Sequence, residues 1–495
     1  MIFNSISFLI FFPIVVVIYF IIPLKIRWVW LLITSYYFYM CWNPKYVLLL
    51  GVSTIVTYLS GILIENADKM CDEKKSITIK KMWVFTSFIS NLGVLFLFKY
   101  YNFFNFNIKR VLSIFNISIV TPTFDFLLPL GISFYTLQAL SYTMDVYRGD
   151  VKVEKSLGKY ALFVSFFPQL VAGPIGKSKN LLNQFNENHY FDYDRVKNGL
   201  LLMLWGFFQK LFVADRLAIL VNTVYNNPAN YKGFQTIIAT VFFTFQIYCD
   251  FSSYSDIAIG AAEVMGFRLK NNFKQPYFSR SIKDFWRRWH VSLSAWFKDY
   301  LYIPLGGNRR GKLRTYINIM IVFLLSGLWH GAAINFIIWG ALHGTYQVLG
   351  DMFKPMKIKL TSICKVRTEV FSYKLLQVLV TFALVNFAWI FFRASSFNAA
   401  KIMIRNMICF NPWMLSADSI SKLGIDSKDF LISILGIAIV LIINVMQAKG
   451  SLRVKLAEQN TVFRWAVYFS CIIFILIFGV YGEGYNPQQF IYSQF

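Results

Sequence analysis

The sequence predicts an all-α protein that crosses a membrane many times, and its composition and apolar runs are the reasons. Hydrophobic residues make up 57% of the 495 residues and charged residues only 15%, whereas soluble domains carry about 25% charged residues. Aromatic residues alone account for 19% of the chain. Many apolar runs approach the roughly 20 residues that a transmembrane helix needs. This excess of apolar side chains excludes a disordered chain, a collagen-like fibre and a small disulfide-rich scaffold.

The apolar runs predict about 11 or 12 membrane spans. Single spans are expected at residues 6–24, 28–41, 45–64, 83–99, 125–146, 199–222, 235–257, 375–393, 430–447 and 463–481. Residues 316–350 are too long for one span and predict two. Residues 160–176 are apolar but interrupted by Pro168, Gly173 and Pro174, which predicts a re-entrant segment. Such a backbone is tolerated at membrane depth only where protein or a water-filled cavity covers it.

Basic residues predict the orientation of these spans. The chain has 49 Lys and Arg against 24 Asp and Glu, a net charge of +25. Counting along the spans places every basic loop on one side, including 65–82 and 265–315, and both termini on the other. Because cytoplasmic loops of membrane proteins are enriched in Lys and Arg, we expect the basic loops in the cytoplasm and both termini outside. This interpretation of the charge is favoured over nucleic-acid binding.

The chain has four histidines, and three of them lie within 54 residues of one another: His290, His330 and His343. His189 lies in a polar stretch and is interpreted as a surface residue. His330 stands in the apolar run FLLSGLWHGAAINFIIWG, where an ionisable residue is costly and suggests a functional site. Gly327 and Gly331 flank it, which indicates a close approach of the backbone to a ligand or a break in the helix. The alternative is a neutral imidazole that hydrogen-bonds a neighbouring helix.

The segment SRSIKDFWRRWHVSLSAWFKDY, residues 279–300, predicts an amphipathic helix at the cytoplasmic interface. Ser281 and Asp284 resemble a capping box at its start. Apolar residues recur at three- and four-residue steps and form one broad aromatic face, which includes His290. A helix that only anchors the loop explains the Trp and Arg residues, but it does not explain a histidine on the aromatic face.

The loop PLGGNRRGKL, residues 304–313, is rich in glycine and basic residues. Gly306, Gly311 and Lys312 have the spacing of a P-loop, but Leu313 stands where that motif needs Ser or Thr for magnesium, so an NTPase is excluded. Two interpretations remain: a cytoplasmic turn that obeys the charge rule, or a cradle that binds a pyrophosphate through backbone N–H groups and guanidinium groups. The candidate residues for binding an anionic donor are Gly306, Gly307, Arg309 and Arg310.

The sequence contains no other known catalytic or metal-binding motif, and the role of two aspartates in apolar surroundings has two alternatives. The sequence has no HExxH or GxSxG motif, and its six Cys residues have no CxxC spacing, so neither a metal site nor a disulfide framework is predicted. Asp250 and Asp256 lie in the apolar context YCDFSSYSDIAIG. They are either proton-relay groups or partners of a nearby Arg or backbone group.

Six segments together resemble the membrane-bound O-acyltransferases, and within that family the bacterial alginate O-acetyltransferase branch. The resemblance covers about residues 128–394 and depends most on the third and fourth of these matches. The segments are LPLGISFYTLQALSYTMDVYRG, LFVSFFPQLVAGPI, NFKQPYFSRSIKDFWRRWHVSLSAWFKDYLYIPLGGNRRG, LLSGLWHGA, IYCDFSSYSDIAIG and NFAWIFFRA.

The resemblance implies a ring of transmembrane helices around a thinned centre, with a tunnel that links the two faces of the membrane. It implies that His330 is the catalytic histidine and that His290 is a second histidine of the active site. The donor implied is a cytoplasmic acyl thioester, here acetyl-CoA as a substrate, with no tightly bound cofactor and no metal. An extracytoplasmic esterase-like protein and a polysaccharide synthase complex are implied as partners beside the membrane lipid.

The resulting expectation is a single integral membrane acyltransferase domain over residues 1–495. It would comprise N-terminal spans at 1–124, a family core at 125–394 that holds both active-site histidines, and C-terminal spans at 395–495. The expected function is O-acetylation of an extracellular polysaccharide from acetyl-CoA, at the bacterial plasma membrane. The alternatives are transfer of D-alanyl or another acyl group to teichoic acid, and, in a different class, a polysaccharide transporter or export channel. The absence of matched internal halves argues against a transporter.

Overall fold

The computed structural model describes residues 1–124, 128–409, 417–481 and 490–491, and these residues form helices and turns without β-strands. The predicted all-α membrane class is confirmed. In the described residues, seven helical segments are long and apolar enough to cross a membrane: Pro44–Asp68, Glu73–Ile114, Phe234–Met265, Gly311–His330, Phe371–Arg393, Ser427–Gln447 and Thr461–Phe478. The other predicted spans coincide with shorter helices or helix pairs, of which Ile6–Ile21 is one. The ring and its tunnel stay a prediction.

The chain divides into two compact units, and the first comprises Met1–Leu200 and Ala258–Lys270. These limits differ from the predicted internal boundaries after residues 124 and 394, and the predicted single acyltransferase domain stays a prediction. Eight helices lie wholly in the first unit: α1 (Ile6–Ile21), α2 (Arg27–Met40), α3 (Val47–Asp68), α4 (Glu73–Leu95), α5 (Tyr101–Ile114), α6 (Ile132–Tyr147), α7 (Leu157–Ser165) and α8 (Ser178–Leu181).

The second unit comprises Leu201–Ile257 and Asn271–Phe495. Helices α9 (Tyr193–Phe207) and α11 (Phe234–Met265) have residues in both units. The remaining helices are α10 (Asp215–Asn226), α12 (Ile282–Arg288), α13 (Val291–Phe297), α14 (Gly311–His330), α15 (Ile334–Met352), α16 (Lys354–Ile363), α17 (Phe371–Arg393), α18 (Phe397–Ile408), α19 (Ala417–Ser421), α20 (Ser427–Gln447), α21 (Leu452–Ala457) and α22 (Thr461–Phe478). Three π-helical stretches continue neighbouring helices at Phe96–Tyr100, Phe208–Ala214 and Lys298–Tyr302.

In the first unit, α3 packs against α4 and α6, and buried hydroxyl and amide groups join the helices. Ser53 donates to the side-chain oxygen of Asn91 at 2.5 Å, and the hydroxyls of Ser87 and Thr143 lie 2.9 Å apart. Hydrogen bonds of this kind are a usual means of holding helices together where lipid provides no hydrophobic driving force. The short polar side chains of these helices therefore have an interhelical role.

The predicted break in residues 160–176 is confirmed. Helix α7 ends at Ser165, and the following residues turn irregularly although they are almost completely buried. The backbone N–H of Phe167 donates to the hydroxyl of Ser35 at 3.1 Å, and the side chain of Gln169 donates to the carbonyl of Phe163 at 3.2 Å. Protein groups thus satisfy this non-helical backbone, which is the condition for its presence at membrane depth.

In the second unit, the two aspartates of the YCDFSSYSDIAIG segment pair with protein groups. The ammonium of Lys210 lies 2.6 Å from Asp250 and 2.9 Å from Asp215, and all three side chains are buried. The backbone N–H of Ile491 also donates to Asp250 at 2.6 Å. Asp256 accepts a hydrogen bond from a glutamine side chain at 2.8 Å. The structure therefore shows the pairing alternative, in which Asp250 has the expected backbone partner together with a lysine.

The orientation can be tested with cysteines placed at two exposed positions in a variant that lacks the six native cysteines. Asn308 is exposed in the loop predicted to be cytoplasmic, and Val120 is 99% exposed in the loop predicted to lie outside. A membrane-impermeant thiol reagent added to intact cells is expected to label Val120→Cys and to leave Asn308→Cys unlabelled until the membrane is permeabilised. Labelling of Asn308→Cys on intact cells would contradict the orientation.

Candidate active site

Helices α14 and α15 form a hairpin in which the two backbones touch. A Cβ atom on Gly327 would lie 2.2 Å from the carbonyl oxygen of Phe336, and a Cβ atom on Gly340 would lie 2.2 Å from that of Phe323. Only hydrogen fits at these two positions, as in other close crossings of membrane helices. The close approach at Gly327 is therefore to the backbone of the neighbouring helix. The sequence had suggested a close approach to a ligand as one of two alternatives.

The helix break predicted beside His330 is confirmed. Helix α14 ends at His330, and Gly331 continues in an extended conformation with its N–H directed to the carbonyl of Gly327 at 3.3 Å. A Cβ atom on Gly331 would lie 2.1 Å from the ring of Phe336. His330 is thereby held at the last turn of α14, immediately before the short connection to α15.

Aromatic rings surround His330, which is only 2% exposed. Its ring centroid lies 4.8 Å from that of Trp329, 5.0 Å from that of Trp339 and 5.3 Å from that of Phe392. The contacts with Trp339 and Phe392 are edge-to-face, an arrangement that aromatic rings favour. This aromatic enclosure holds the imidazole in a fixed position and limits the access of water to it.

The structure corrects the prediction of one continuous helix over residues 279–300. The cap forms as predicted, because the hydroxyl of Ser281 accepts from the N–H of Asp284 at 3.1 Å. The helix nevertheless ends at Arg288, and a second helix starts at Val291. The aromatic residues do not form one continuous surface at the membrane interface, since Trp289 is only 1% exposed and His290 is completely buried. The periodic spacing of the apolar residues did not reveal this break.

His290 occupies the turn between α12 and α13 in a left-handed conformation, with φ 42° and ψ 54°. Non-glycine residues rarely adopt this conformation, which costs of the order of 1–3 kcal/mol, so neighbouring groups must stabilise it. Asn272 does so, because its carbonyl oxygen accepts from the N–H of Val291 at 2.9 Å. Its side-chain oxygen accepts from both the N–H of Ser292 at 3.1 Å and the hydroxyl at 2.8 Å. Asn272 was not recognised in the sequence, because its partners lie about 20 residues away.

The turn brings His290 close to His330. The two ring centroids lie 6.4 Å apart, and the ring of Phe251 packs edge-on against His290 at 4.6 Å. His290 and His330 are 40 residues apart in the sequence, and His290 lies at the start of α13 whereas His330 lies at the end of α14. The structure therefore brings together the two histidines that the sequence singled out.

A third histidine, His343, lies beside this pair, although the sequence suggested no role for it. It is completely buried on α15, and its Nδ1 accepts a hydrogen bond from the indole N–H of Trp286 at 3.2 Å. Since an indole can only donate, His343 is a neutral imidazole with its proton on Nε2 in this arrangement. The ring of Trp339 lies 5.0 Å from the rings of both His330 and His343. The four-residue spacing of Trp339 and His343 on one helix was the available signal.

A cavity of about 980 Å³ lies near the histidine pair, although neither histidine lines it. Its lining includes Leu293 and Ser326, which lie within about one helical turn of His290 and His330. Trp286 also lines it, so the hydrogen bond from Trp286 to His343 holds part of the wall. The basic residues that line the cavity are Lys283, Arg287, Lys298 and Lys312, and Asp351 is the one acidic residue among its described lining residues.

The glycine-rich loop lies at the rim of this cavity. Gly306, Gly307 and Gly311 all have positive φ angles, between 55° and 104°, which explains the need for glycine. Asn308, Gly311 and Lys312 line the cavity, whereas Gly306, Gly307, Arg309 and Arg310 are outside its lining, and both arginines are exposed. The role of these four residues in binding a donor stays a prediction.

His189 belongs to the first unit, whereas the other three histidines belong to the second. It is half-buried, its ring nitrogen lies 2.9 Å from the carbonyl oxygen of Gln184, and its ring packs on Phe267 at 4.5 Å. Desolvation by burial lowers the pKa of its imidazole. The side chain is therefore partly exposed at the surface, as predicted from its polar surroundings in the sequence, and it packs against a neighbouring turn.

Comparison with known proteins agrees with the geometry. The membrane-bound O-acyltransferase family model matches residues 152–367. The probable alginate O-acetylase of Pseudomonas syringae pv. tomato is 38% identical over 419 residues, which cover 84% of this chain and 77% of that protein. The peptidoglycan O-acetyltransferase of Helicobacter pylori is 34% identical over 430 residues, 81% of this chain and 76% of that protein. The teichoic acid D-alanyltransferase of Bacillus subtilis is 28% identical over 282 residues, which cover 54% of this chain and 69% of that protein.

With two facing histidines and this extent of identity, the chain belongs to the membrane-bound O-acyltransferase family. The resemblance noted in the sequence is confirmed. The protein is accordingly a membrane-embedded, multi-pass acyltransferase. The aligned family segment, residues 152–367, contains His290, His330 and His343.

Replacement of Gly340 by Ala is expected to push α14 and α15 apart, because the new methyl group would overlap the backbone of Phe323. Overpacking of this kind typically destabilises by about 1–3 kcal/mol. The measurement is the apparent melting temperature of the purified protein in detergent, together with acyl transfer. Gly350→Ala is the matched control, since Gly350 lies on the same helix with no atom within 4 Å. Equal melting temperatures for the two variants would contradict the close helix contact.

Proposed function

We propose that this protein is a membrane O-acetyltransferase that passes acetyl groups from cytoplasmic acetyl-CoA across the membrane for O-acetylation of an extracellular polysaccharide. The observation that carries the proposal is the juxtaposition of His290 and His330, 6.4 Å apart, within about one helical turn of residues that line a basic cavity. Acetyl transfer is favoured because the relatives that align over most of this chain are named O-acetylases or O-acetyltransferases.

The cavity supports a donor that is anionic at one end. Lys283, Arg287, Lys298 and Lys312 line it against a single lining carboxylate, Asp351, which lies 3.7 Å from the ammonium of Lys283. Coenzyme A carries several phosphate charges, and basic side chains bind phosphate through charge-assisted hydrogen bonds. The apolar residues nearer the histidines suit the acyl arm. In this proposal the phosphates stay near the rim and the thioester reaches His330.

His330 is proposed as the general base. An acceptor hydroxyl attacks the carbonyl carbon of the thioester, and the hydroxyl proton passes to a ring nitrogen of His330 as the new C–O bond forms. The tetrahedral intermediate then collapses as the C–S bond breaks, and His330 returns the proton to the departing thiolate. The aromatic enclosure of His330 favours this route over hydrolysis, because it limits the access of water to the thioester.

The negative charge on the tetrahedral oxygen needs a donor. The N–H of Gly331 is directed to the carbonyl of Gly327, so this backbone group is already engaged. His290 lies close to His330 and is proposed to donate to the developing oxyanion from a ring nitrogen. The strained turn held by Asn272 would then serve to present the ring of His290 at a fixed distance from His330.

The acceptor side of the reaction is proposed from the predicted topology. With the basic cavity in the cytoplasm, the acetyl group would leave toward the outside of a bacterial plasma membrane. An extracytoplasmic esterase-like acyltransferase and a polysaccharide synthase complex are the proposed partners there. Transfer of a D-alanyl group to teichoic acid remains the alternative within the family, with lower identity to this chain. A transporter is disfavoured by membership in an acyltransferase family.

Replacement of His330 by Ala is expected to lower acetyl transfer by about 10²–10⁴-fold, since a positioned general base contributes an effect of that size. His290→Ala is also expected to impair transfer severely through the loss of the oxyanion donor. The measurement is consumption of acetyl-CoA by the purified protein with a polysaccharide acceptor, at matched protein amounts. His189→Ala is the control and should retain transfer, because His189 lies in the other unit. Wild-type activity of His330→Ala would exclude it as the base.

Two pairs of charge-removing variants separate the possible donor sites. Lys298→Gln with Lys312→Gln removes two cations that line the cavity, and Arg309→Gln with Arg310→Gln removes two exposed cations of the adjacent loop. If the phosphates lie inside the cavity, the first pair should raise the KM for acetyl-CoA much more than it lowers kcat, because ground-state binding is lost.

The second pair tests the residues suggested by the sequence. A larger rise in KM for the Arg309 and Arg310 variants would place the phosphates on the glycine-rich loop instead. An unchanged KM in both pairs would exclude this side of the protein from donor binding. Saturable binding of a carrier-protein thioester, with none of CoA, would favour the D-alanyl alternative.

A further inference from the structure

A second cavity lies in the same unit, apart from the histidines. It has a volume of about 670 Å³ and shares no lining residue with the active-site cavity. Its walls come from α9 and the π-helical stretch that follows it, from α20 and from α22, and most of the lining side chains are apolar, such as Leu204, Ile439, Ile443 and Phe474. We name it the lateral groove.

One end of the lateral groove is basic. Helix α21 contributes Arg453 and Lys455 to the lining, and Gln459 follows that helix. No acidic residue is found among the described residues that line the groove. Asp256 interacts electrostatically with Arg453 but lies outside the lining. Because α21 connects the two apolar helices α20 and α22, this end lies where both helices reach the membrane surface. The predicted orientation places this connection on the cytoplasmic side.

Tyr468 also lines the groove and is only 8% exposed. Its hydroxyl is buried within the protein and does not open into the groove. Tyr468 therefore contributes its ring to the apolar wall.

The dimensions of the groove fit a hydrocarbon chain. Lining residues on α22 run from Val467 to Ile475, and those on α20 run from Ile439 to Met446. These stretches of nine and eight residues correspond to about 10–12 Å along the helix axis. A water-soluble anion would leave this apolar wall uncovered, whereas an acyl chain would cover it.

We propose that the lateral groove binds one anionic phospholipid, with the head group on Arg453 and Lys455 and an acyl chain along α20 and α22. Two cations without a lining carboxylate favour a head group of net negative charge over a zwitterionic one, since each basic residue near a membrane surface adds to the attraction for anionic lipid. This site is independent of acetyl transfer and of the proposed donor cavity.

The test is lipid retention by the purified full-length protein in detergent, measured by native mass spectrometry. Phosphatidylglycerol and phosphatidylcholine with identical acyl chains are titrated separately. One phosphatidylglycerol is expected to bind more tightly than phosphatidylcholine. Arg453→Gln with Lys455→Gln should weaken phosphatidylglycerol binding by roughly tenfold or more, because two attractive charges are lost. Binding of phosphatidylcholine should change much less.

A further variant addresses the acyl chain. Leu204→Trp places a larger side chain in the groove and should prevent binding of both lipids without a change of charge. The charge variants keep the proposal testable if Leu204→Trp folds poorly.

The matched control is Lys357→Gln with Lys359→Gln. These two exposed cations on α16 have the same spacing as Arg453 and Lys455 but lie outside the groove. The control should bind phosphatidylglycerol like the wild type. An equal loss of binding in the control would show diffuse attraction between the basic protein and anionic lipid. That result would overturn the proposal, as would equal affinity of the wild type for both lipids or full retention by Leu204→Trp.

Discussion

The close crossing of α14 and α15 at Gly327 and Gly340 is the contact on which the histidine site depends. At this crossing the two backbones are so near that any side chain larger than hydrogen would separate them. The crossing sets the position of His330 at the end of α14 and of Trp339 on α15. Trp339 in turn contacts both His330 and His343. A shift of either helix would therefore change the contact between Trp339 and the proposed base.

The second unit contains two kinds of buried polar group, and they offset the free-energy cost of burial in different ways. Charged groups are costly to bury unless they are paired, and Lys210 accordingly lies between Asp215 and Asp250. The histidines of the site instead lie among aromatic rings, within 6.4 Å of each other. Charged groups that contact one another in this way contribute to structure, whereas an imidazole in an aromatic enclosure can exchange a proton with a substrate. This contrast supports a structural role for Asp250 and a chemical role for His330.

Much of the site was predictable because the motif residues carry strong local signals. His330 was recognised by a polar side chain within an apolar run, and the helix ends beside it at Gly331 as the flanking glycines indicated. The cap at Ser281 was also recognised. The interruption at His290 was not, because period and composition continue through it, and the turn depends on hydrogen bonds from Asn272. The position of His343 beside the site could be recognised only from the structure, because Trp286, which donates a hydrogen bond to it, lies on another helix.

The sequence by itself determined that this is an all-α membrane protein of an acyltransferase family, because apolar runs, basic loops and motif spacing are local properties of the chain. It also determined which two histidines deserve a test. Only the tertiary structure decided that they face each other, that the lining cations are Lys283, Arg287, Lys298 and Lys312, and that Arg309 and Arg310 lie outside the cavity. The physical reason is that side-chain separation across helices depends on how backbones cross. Here two glycines far from the loop permit that crossing.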